Sequence, residues 1–292
     1  MSEIRYAAVD IGSNAIRLVV VSLLESSSGK ERKINKISLT RVPIRLGEDV
    51  FKDGKVSKDK SNDLNHALTG FSHLMKAYRV KKYKACATSA LRSASNSMEV
   101  LSLIKSSSGI DVEIIDGNTE AEYIMKAGVG QFLKKGKSYL YIDVGGGSTE
   151  LSVLVDGEIK VSASFNIGTV RVLKKGWDEE EWERMRLWLN KNVADVSIKA
   201  AIGTGGNINR YYKLCHGKNK ELSTKEIAQL YLKLKKLSYD ERVSKFNLRL
   251  DRADVIVPAG KIFLKILKEV NVSQVIVPKL GLADGIIRDI IE

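Results

Sequence analysis

At 292 residues, 43% hydrophobic and 28% charged, the chain has the composition of a globular protein long enough for two domains of ordinary size, each with its own core. It contains no uncharged apolar run of bilayer-spanning length, and Asp10 and Arg17 interrupt the first apolar region, so no membrane association is expected and a cytoplasmic location is. Lysine and arginine outnumber the acids by 48 to 35, a formal charge of +13; an excess this large favours a polyanionic partner.

The basic runs are KERKINK at 30–36, RVKKYK at 79–84, KKGK at 134–137 and KLKK at 233–236. No helix-turn-helix, zinc-finger or aromatic RNP pattern accompanies them, so a phosphorylated substrate is expected and nucleic acid is not. Cys86 and Cys215 lie far apart and outside any CxxC, and read as small buried hydrophobes. His66, His73 and His216 are too scattered for a zinc site or a histidine-based phosphatase.

In chain order, the first unit is a strand, a turn and a strand around DIGSNAIRLVVV at 10–21. Strand-like sequence follows (KINKISLTRVPIRLG), then a helix from Ser57 or Ser61 whose Leu64, Leu68, Phe71, Met75 and Tyr78 form a core-facing stripe. YKACATS reads as a strand, ALRSASNSMEVLSLIKSSSG as a loop and a helix, and DVEIID as a strand. GNTEAEYIMKAGVGQFL reads as a helix capped by Asn118 or Thr119, with Ala121, Ile124, Met125, Gly128 and Phe132 facing inward. This helix is the natural junction, giving domains at 1–118, joined by the closing helix at 281–292, and 119–280.

The second half opens with strands through 138–165 and a tryptophan-bearing helix, DEEEWERMRLWLNKNVAD. KAAIGTGGNINRYYKL is strand, glycine turn and helix, and helices cover roughly 223–237 and 239–246. RADVIVPAGKIFLKILKEV ends as a helix, SQVIVPKLG gives a last strand and LADGIIRDIIE a closing helix. Laying DIGSNAIRLVVV over DVGGGSTELSVL at 143–154 puts Asp10 on Asp143, Gly12 on Gly145, Leu18 on Leu151 and Val20 on Val153 at one constant offset. The expected class is therefore α/β, with two duplicated halves around a central cleft.

The glycines carry the chemistry. A hairpin turn needs one or two, and three in a row at Gly145, Gly146 and Gly147 weaken the strands they join. This stretch reads equally well as a plain hairpin and as a backbone nest for an anion, with Ser148 and Thr149 adding hydroxyls and Asp143 and Glu150 at its rim. Gly130 to Ser138 (GQFLKKGKS) fails as a Walker A loop, with five residues between its glycines and a helix before it. Gly203 to Ile208 (GTGGNI) fails as a dinucleotide fingerprint because Ile208 replaces the third glycine. Gly203, Thr204, Gly205 and Gly206 still offer backbone N–H groups at a helix start, where the dipole favours an anion.

DIGSNAIRL at 10–18, ATSALRSASN at 87–96, GNTEAE at 117–122, DVGGGSTEL at 143–151, GTGGN at 203–207 and RADVIVPA at 252–259 together resemble the exopolyphosphatase / guanosine pentaphosphate phosphatase family, in its short two-domain form. The chain departs from that pattern at Ala15, Thr119, Asn207 and Ala283-Asp284. The resemblance implies two actin-like domains and hydrolysis of a terminal phosphoanhydride, with inorganic polyphosphate or guanosine pentaphosphate as substrate; a non-catalytic nucleotide or polyphosphate sensor is the rival from another class. It implies Glu120 as general base, with Glu150 a second catalytic carboxylate. Phosphates fall to Gly12, Ser13, Asn14, Arg92, Gly145, Gly146, Gly147 and Ser148, and a nucleotide or distal phosphate to Gly203, Thr204, Gly205 and Gly206. Asp10, Asp143 and Glu150 are the expected ligands of Mg²⁺, or Mn²⁺, and a homodimer is implied.

Overall fold

The computed structural model of the chain describes residues 2–25, 32–215 and 220–292. His216 and the first residues of the basic run at 30–36 lie outside them. The elements are β1 (Ser2–Ile11), β2 (Ile16–Glu25), β3 (Arg32–Val42), α1 (Gly47–Asp53), α2 (Lys58–Ala77), β4 (Lys82–Ala87), α3 (Ser89–Ser93), α4 (Ser97–Ser108), β5 (Val112–Ile114) and α5 (Gly117–Lys126). They continue with β6 (Ser138–Val144), β7 (Thr149–Val155), β8 (Glu158–Phe165), α6 (Thr169–Lys175), α7 (Glu179–Val193), β9 (Ile198–Thr204), α8 (Gly205–Leu214), β10 (Glu221–Ser223) and α9 (Thr224–Lys235). The last are α10 (Tyr239–Phe246), α11 (Leu250–Ala253), α12 (Ile256–Glu269), β11 (Gln274–Ile276) and α13 (Leu282–Ile291).

Two compact units result, Met1–Ala127 with Gly281–Glu292, and Gly128–Leu280. In the first, the sheet order is β3-β2-β1-β4-β5. β1 and β2 form an antiparallel hairpin, while β1 pairs in parallel with β4 and β4 with β5. Val19, Val20, Val21 and Leu23 are all buried, so β2 is covered on both faces and reads as an unbroken apolar run. α13 packs on one face, where Ala8, Val19, Val21, Cys86, Tyr123, Ile286 and Ile287 form one cluster. The stripe on α2 buries Leu64, Leu68, Phe71 and Met75 as expected, from an N-cap at Ser57.

The second unit has the order β10-β11-β9-β6-β7-β8. Read from β8, the strands β8-β7-β6-β9-β11 repeat the sequence of directions and partners of β3-β2-β1-β4-β5. The two halves are thus the same sheet built twice, with β10 added at one edge. Helices α7, α8, α9 and α12 bury Met185, Ile208, Tyr211, Ile227 and Phe263 in a single core against it.

Three features differ from expectation. The division falls after α5, where an expected boundary at 118/119 would have cut the helix; Tyr123 sits in the first unit's core and Lys126 pairs with Asp289 of α13. α5 is capped by Asp116, whose Oδ1 accepts from the Thr119 N–H at 2.8 Å, so it begins earlier than a cap at Asn118 or Thr119 would allow. It also ends at Lys126, with Gly128 at φ 98° before a 3-10 turn at Val129–Phe132. α1 and α6, short helices each following the third strand of a half, were not foreseen.

Candidate active site

Both hairpins end in the same turn. Gly12 donates its N–H to the Ala15 carbonyl at 3.2 Å, and Gly145 donates to the Ser148 carbonyl at 3.0 Å. In each, the short helix after the third strand or the residues leading into it take up the turn's carbonyls. In the first unit Gly47 donates to the Ser13 carbonyl at 2.8 Å and Arg45 to that of Asn14 at 3.2 Å. In the second, Thr169 donates to the Gly145 carbonyl at 3.0 Å, Val170 to that of Gly146 at 2.8 Å, and Arg171 Nε to that of Gly147 at 2.7 Å. The consequence is polarity: every carbonyl of Gly145 to Gly147 is engaged by α6 or its side chains, whereas the N–H groups of Gly146, Gly147 and Ser148 meet no acceptor among the described residues. Successive N–H groups left without acceptors form an anion-binding nest.

Gly168, absent from the expected set, makes this possible. A Cβ there would fall within 2.5 Å of the Gly147 and Ser148 nitrogens, so only glycine lets α6 approach the turn. No local signal in FNIGTVRV marks it; the constraint arises across the fold.

The two hairpins have diverged in charge at one register position. Asp10 pairs across the strands with Arg17, and their side chains form an ion pair. At the equivalent place Asp143 pairs with Glu150. Asp143 Oδ2 accepts from Thr204 Oγ1 at 2.9 Å and lies 3.2 Å from the Tyr141 hydroxyl, which is itself 2.5 Å from Thr204 Oγ1. Burial, and then the charge of Asp143, push the Tyr141 phenol well above its ordinary pKa, so it stays a neutral donor. Glu150, buried, accepts at Oε1 from Ser148 Oγ at 2.6 Å and Ser164 Oγ at 2.9 Å. The Ser148 hydroxyl therefore orients Glu150, and Thr149 Oγ1 bonds the Ile167 carbonyl at 2.5 Å; what the turn offers an anion is its backbone.

At the GTGG stretch the four residues play different parts. Gly203 is inside β9, where a Cβ would stand 3.0 Å from Ile208 and Val275, a packing position. Thr204 holds Asp143. Gly205 has φ +86°, and a Cβ on it would lie 2.5 Å from Asp143 Oδ1, so the carboxylate sits over the start of α8, where the helix dipole favours it. Gly206 leaves room for Arg252, whose Nη1 would be 2.9 Å from a Cβ there. Asn207 anchors this corner by donating Nδ2 to the Val144 carbonyl at 3.0 Å. Arg252, in the RADVIVPA stretch, reaches this corner and donates Nη1 to Asn207 Oδ1 at 3.4 Å, a placement no local signal reveals.

In the first unit, Ser13 is buried and Gly12 and Asn14 half-buried in their turn. Arg92, at the end of α3, donates Nη1 to Glu120 Oε1 at 2.9 Å and to the Ile115 carbonyl at 2.6 Å. The structure thus brings the expected phosphate-binding arginine and the expected base into one pair.

The Ppx/GppA phosphatase family matches this chain over residues 24–292. The chain belongs to this family. It is similar to Exopolyphosphatase 1 of Mycobacterium leprae (strain TN), 23% identical with 97% of this chain and 88% of that protein covered. Exopolyphosphatase 2 of Mycobacterium tuberculosis (strain CDC 1551 / Oshkosh) is 30% identical over 60% of this chain and 56% of its own length. Among solved structures, the Ppx/GppA family member of Aquifex aeolicus superposes with a TM-score of 0.77 at 27% identity, covering 99% of this chain and 98% of that one. An exopolyphosphatase from Cytophaga hutchinsonii ATCC 33406 gives 0.82 at 24% identity, with 96% of each covered, which establishes the fold. The two matching sheets are those of the two-domain, actin-like Ppx/GppA architecture.

The divalent cation expected from the sequence can be weighed against the donors present. No three His, Cys, Asp or Glu side chains cluster as a metal cage among the described residues. Mg²⁺ is ordinarily held by one or two carboxylates with substrate oxygens and water completing its shell, so Asp143 and Glu150, hard donors fixed by hydroxyls, fit that habit. Asp10, matched to Arg17, fits less well. Among the described residues no helix is long and apolar enough to cross a membrane.

Proposed function

We propose that this Ppx/GppA protein hydrolyses the terminal phosphoanhydride of inorganic polyphosphate, releasing orthophosphate. The observation that carries the reading is the Gly145–Ser148 turn, whose carbonyls are all engaged while three successive N–H groups are not. Phosphoryl transfer depends mainly on positioning and on stabilising charge on the equatorial oxygens. Gly146, Gly147 and Ser148 supply backbone donors for those oxygens. Arg92 adds a planar cation suited to phosphate. Glu120 orients the attacking water and accepts its proton at Oε1 or Oε2, with Arg92 fixing the carboxylate. Asp143 and Glu150 would hold Mg²⁺, which when bound neutralises phosphate charge. The curated relatives named exopolyphosphatases and the +13 charge favour polyphosphate.

The test is a phosphate-release panel of long polyphosphate, tripolyphosphate, guanosine pentaphosphate and ATP, with and without Mg²⁺. Polyphosphate turned over fastest, and only with the metal, is the expected result. Preference for guanosine pentaphosphate would move the substrate assignment, and binding without turnover would make the protein a sensor.

A further inference from the structure

α6 begins at the glycine turn and ends, seven residues on, at a group of lysines and tryptophans that the proposed chemistry does not use. Trp177 follows its C-cap Gly176, and its ring lies 5.9 Å from that of Trp182 on α7. Lys261 Nζ of α12 stands 4.0 Å from the Trp177 centroid; Lys265 Nζ is 4.7 Å from Trp177 and 4.5 Å from Trp182. Both lysines are half-buried, and neither has a carboxylate within ion-pair distance among the described residues. Lys235 of α9 adds a third positive charge felt by Lys261, opposed by Glu179. Burial first, then Lys265, pulls the Lys261 ammonium below its ordinary pKa. The Trp177 Nε1 donor is buried without an acceptor as well.

Two lysines spaced one helical turn apart would normally diverge into water, and here the indole faces hold them together. Like charges so gathered repel, and an anion would relieve the repulsion. The rings are already covered by ammonium groups, so they offer no platform for a stacking base. We propose that Lys261 and Lys265, held on Trp177 and Trp182 with Lys235 beside them, form an accessory site for the distal phosphates of a polyphosphate chain, about 10 Å along α6 from the glycine turn. The inference rests on the proposed function for its ligand, though the site binds whether or not the chain is hydrolysed.

All three tryptophans of the sequence, Trp177, Trp182 and Trp188, lie on or just before α7, so intrinsic fluorescence reports on this corner. Long-chain polyphosphate, tripolyphosphate and orthophosphate are titrated into the full chain with EDTA present to stop turnover. Long-chain polyphosphate is expected to shift the emission, with an apparent affinity lowered about tenfold by Lys261→Gln/Lys265→Gln, retained by Lys261→Arg/Lys265→Arg, and weakened by salt. In turnover with Mg²⁺ the glutamine pair raises KM for long chains about tenfold and leaves kcat and tripolyphosphate hydrolysis within about twofold. Should the pair not fold, Lys265→Gln alone is expected to give a smaller shift of the same kind. Unchanged long-chain affinity in the glutamine variants overturns the site even if hydrolysis is found. Lysine-dependent binding without any hydrolysis overturns the proposed function and leaves the site standing.

Discussion

Arg92 Nη1 lies 2.9 Å from Glu120 Oε1 and 2.6 Å from the Ile115 carbonyl, tying the end of α3 to the residue before α5's cap and to the helix's first turns. A carboxylate gripped this way keeps its direction, which a water-orienting group needs, and the arginine keeps further donors for a phosphate.

Glu120→Gln preserves shape and removes the base. Phosphate release from polyphosphate is expected to fall ~10²–10⁴-fold, while the urea midpoint moves little, since the glutamine Oε1 still accepts from Arg92 in this part-buried pair. A rate within a few-fold of wild type removes Glu120 from the chemistry.

The internal echo between 10–21 and 143–154 was legible because strand alternation and a glycine turn are local features, and the structure repeats even the Gly12–Ala15 and Gly145–Ser148 hydrogen bond. Gly168 and Arg252 were not legible as site residues, because each matters through a neighbour distant in sequence: Gly168 through the Gly147–Ser148 peptide, Arg252 through Gly206. In the GTGG stretch four adjacent residues share one local signal but meet different surroundings: Gly203 packs against Ile208 and Val275, and Thr204 donates to Asp143. The reading of α5 slipped at both ends, since Asp116 competes with Asn118 and Thr119 as a cap and only the fold shows which side chain reaches the orphan N–H.

Two glycine-to-alanine changes should move stability in opposite directions. Gly168→Ala drives a methyl into the Gly147–Ser148 backbone, and is expected to cost ~1–3 kcal/mol and to lower activity more than stability alone explains. Gly70, inside α2 with open space around it, should become more stable by about 0.5–1 kcal/mol on change to alanine. Chemical denaturation and phosphate release on both variants check the pair; an active Gly168→Ala would show that the turn's shape is not required.

Tyr141→Phe removes the phenol that meets both Thr204 and Asp143. Tyr141 touches no substrate in this reading and acts by positioning Asp143. The expected outcome is a loss of about 1 kcal/mol in stability, a several-fold fall in kcat and a higher Mg²⁺ requirement for half-maximal rate. A fall in stability with the metal dependence unmoved would limit Tyr141 to packing.

The cap of α5 predicts a pH effect whose sign is fixed. The Thr119 N–H holds the Asp116 carboxyl below its ordinary value, and Asp289 is lowered by Lys126. A depressed folded-state pKa stabilises above the unfolded value, and that contribution is lost as pH falls through the folded one. Stability from these groups should therefore be level from pH 7 to 5 and decline below about pH 4. Asp116→Asn keeps an acceptor for the Thr119 N–H and drops the titration, so it should match wild type closely at neutral pH and lose less on acidification. Asp116→Ala removes the acceptor, at a cost of about 0.5–2 kcal/mol at pH 7. Because α5 carries Glu120, fraying its first turn should also lower phosphate release in the alanine variant and spare it in the asparagine one. Urea denaturation at pH 7 and pH 3.5 with activity at pH 7 checks both, and equal acid sensitivity of wild type and Asp116→Asn would assign the acid loss to other carboxylates.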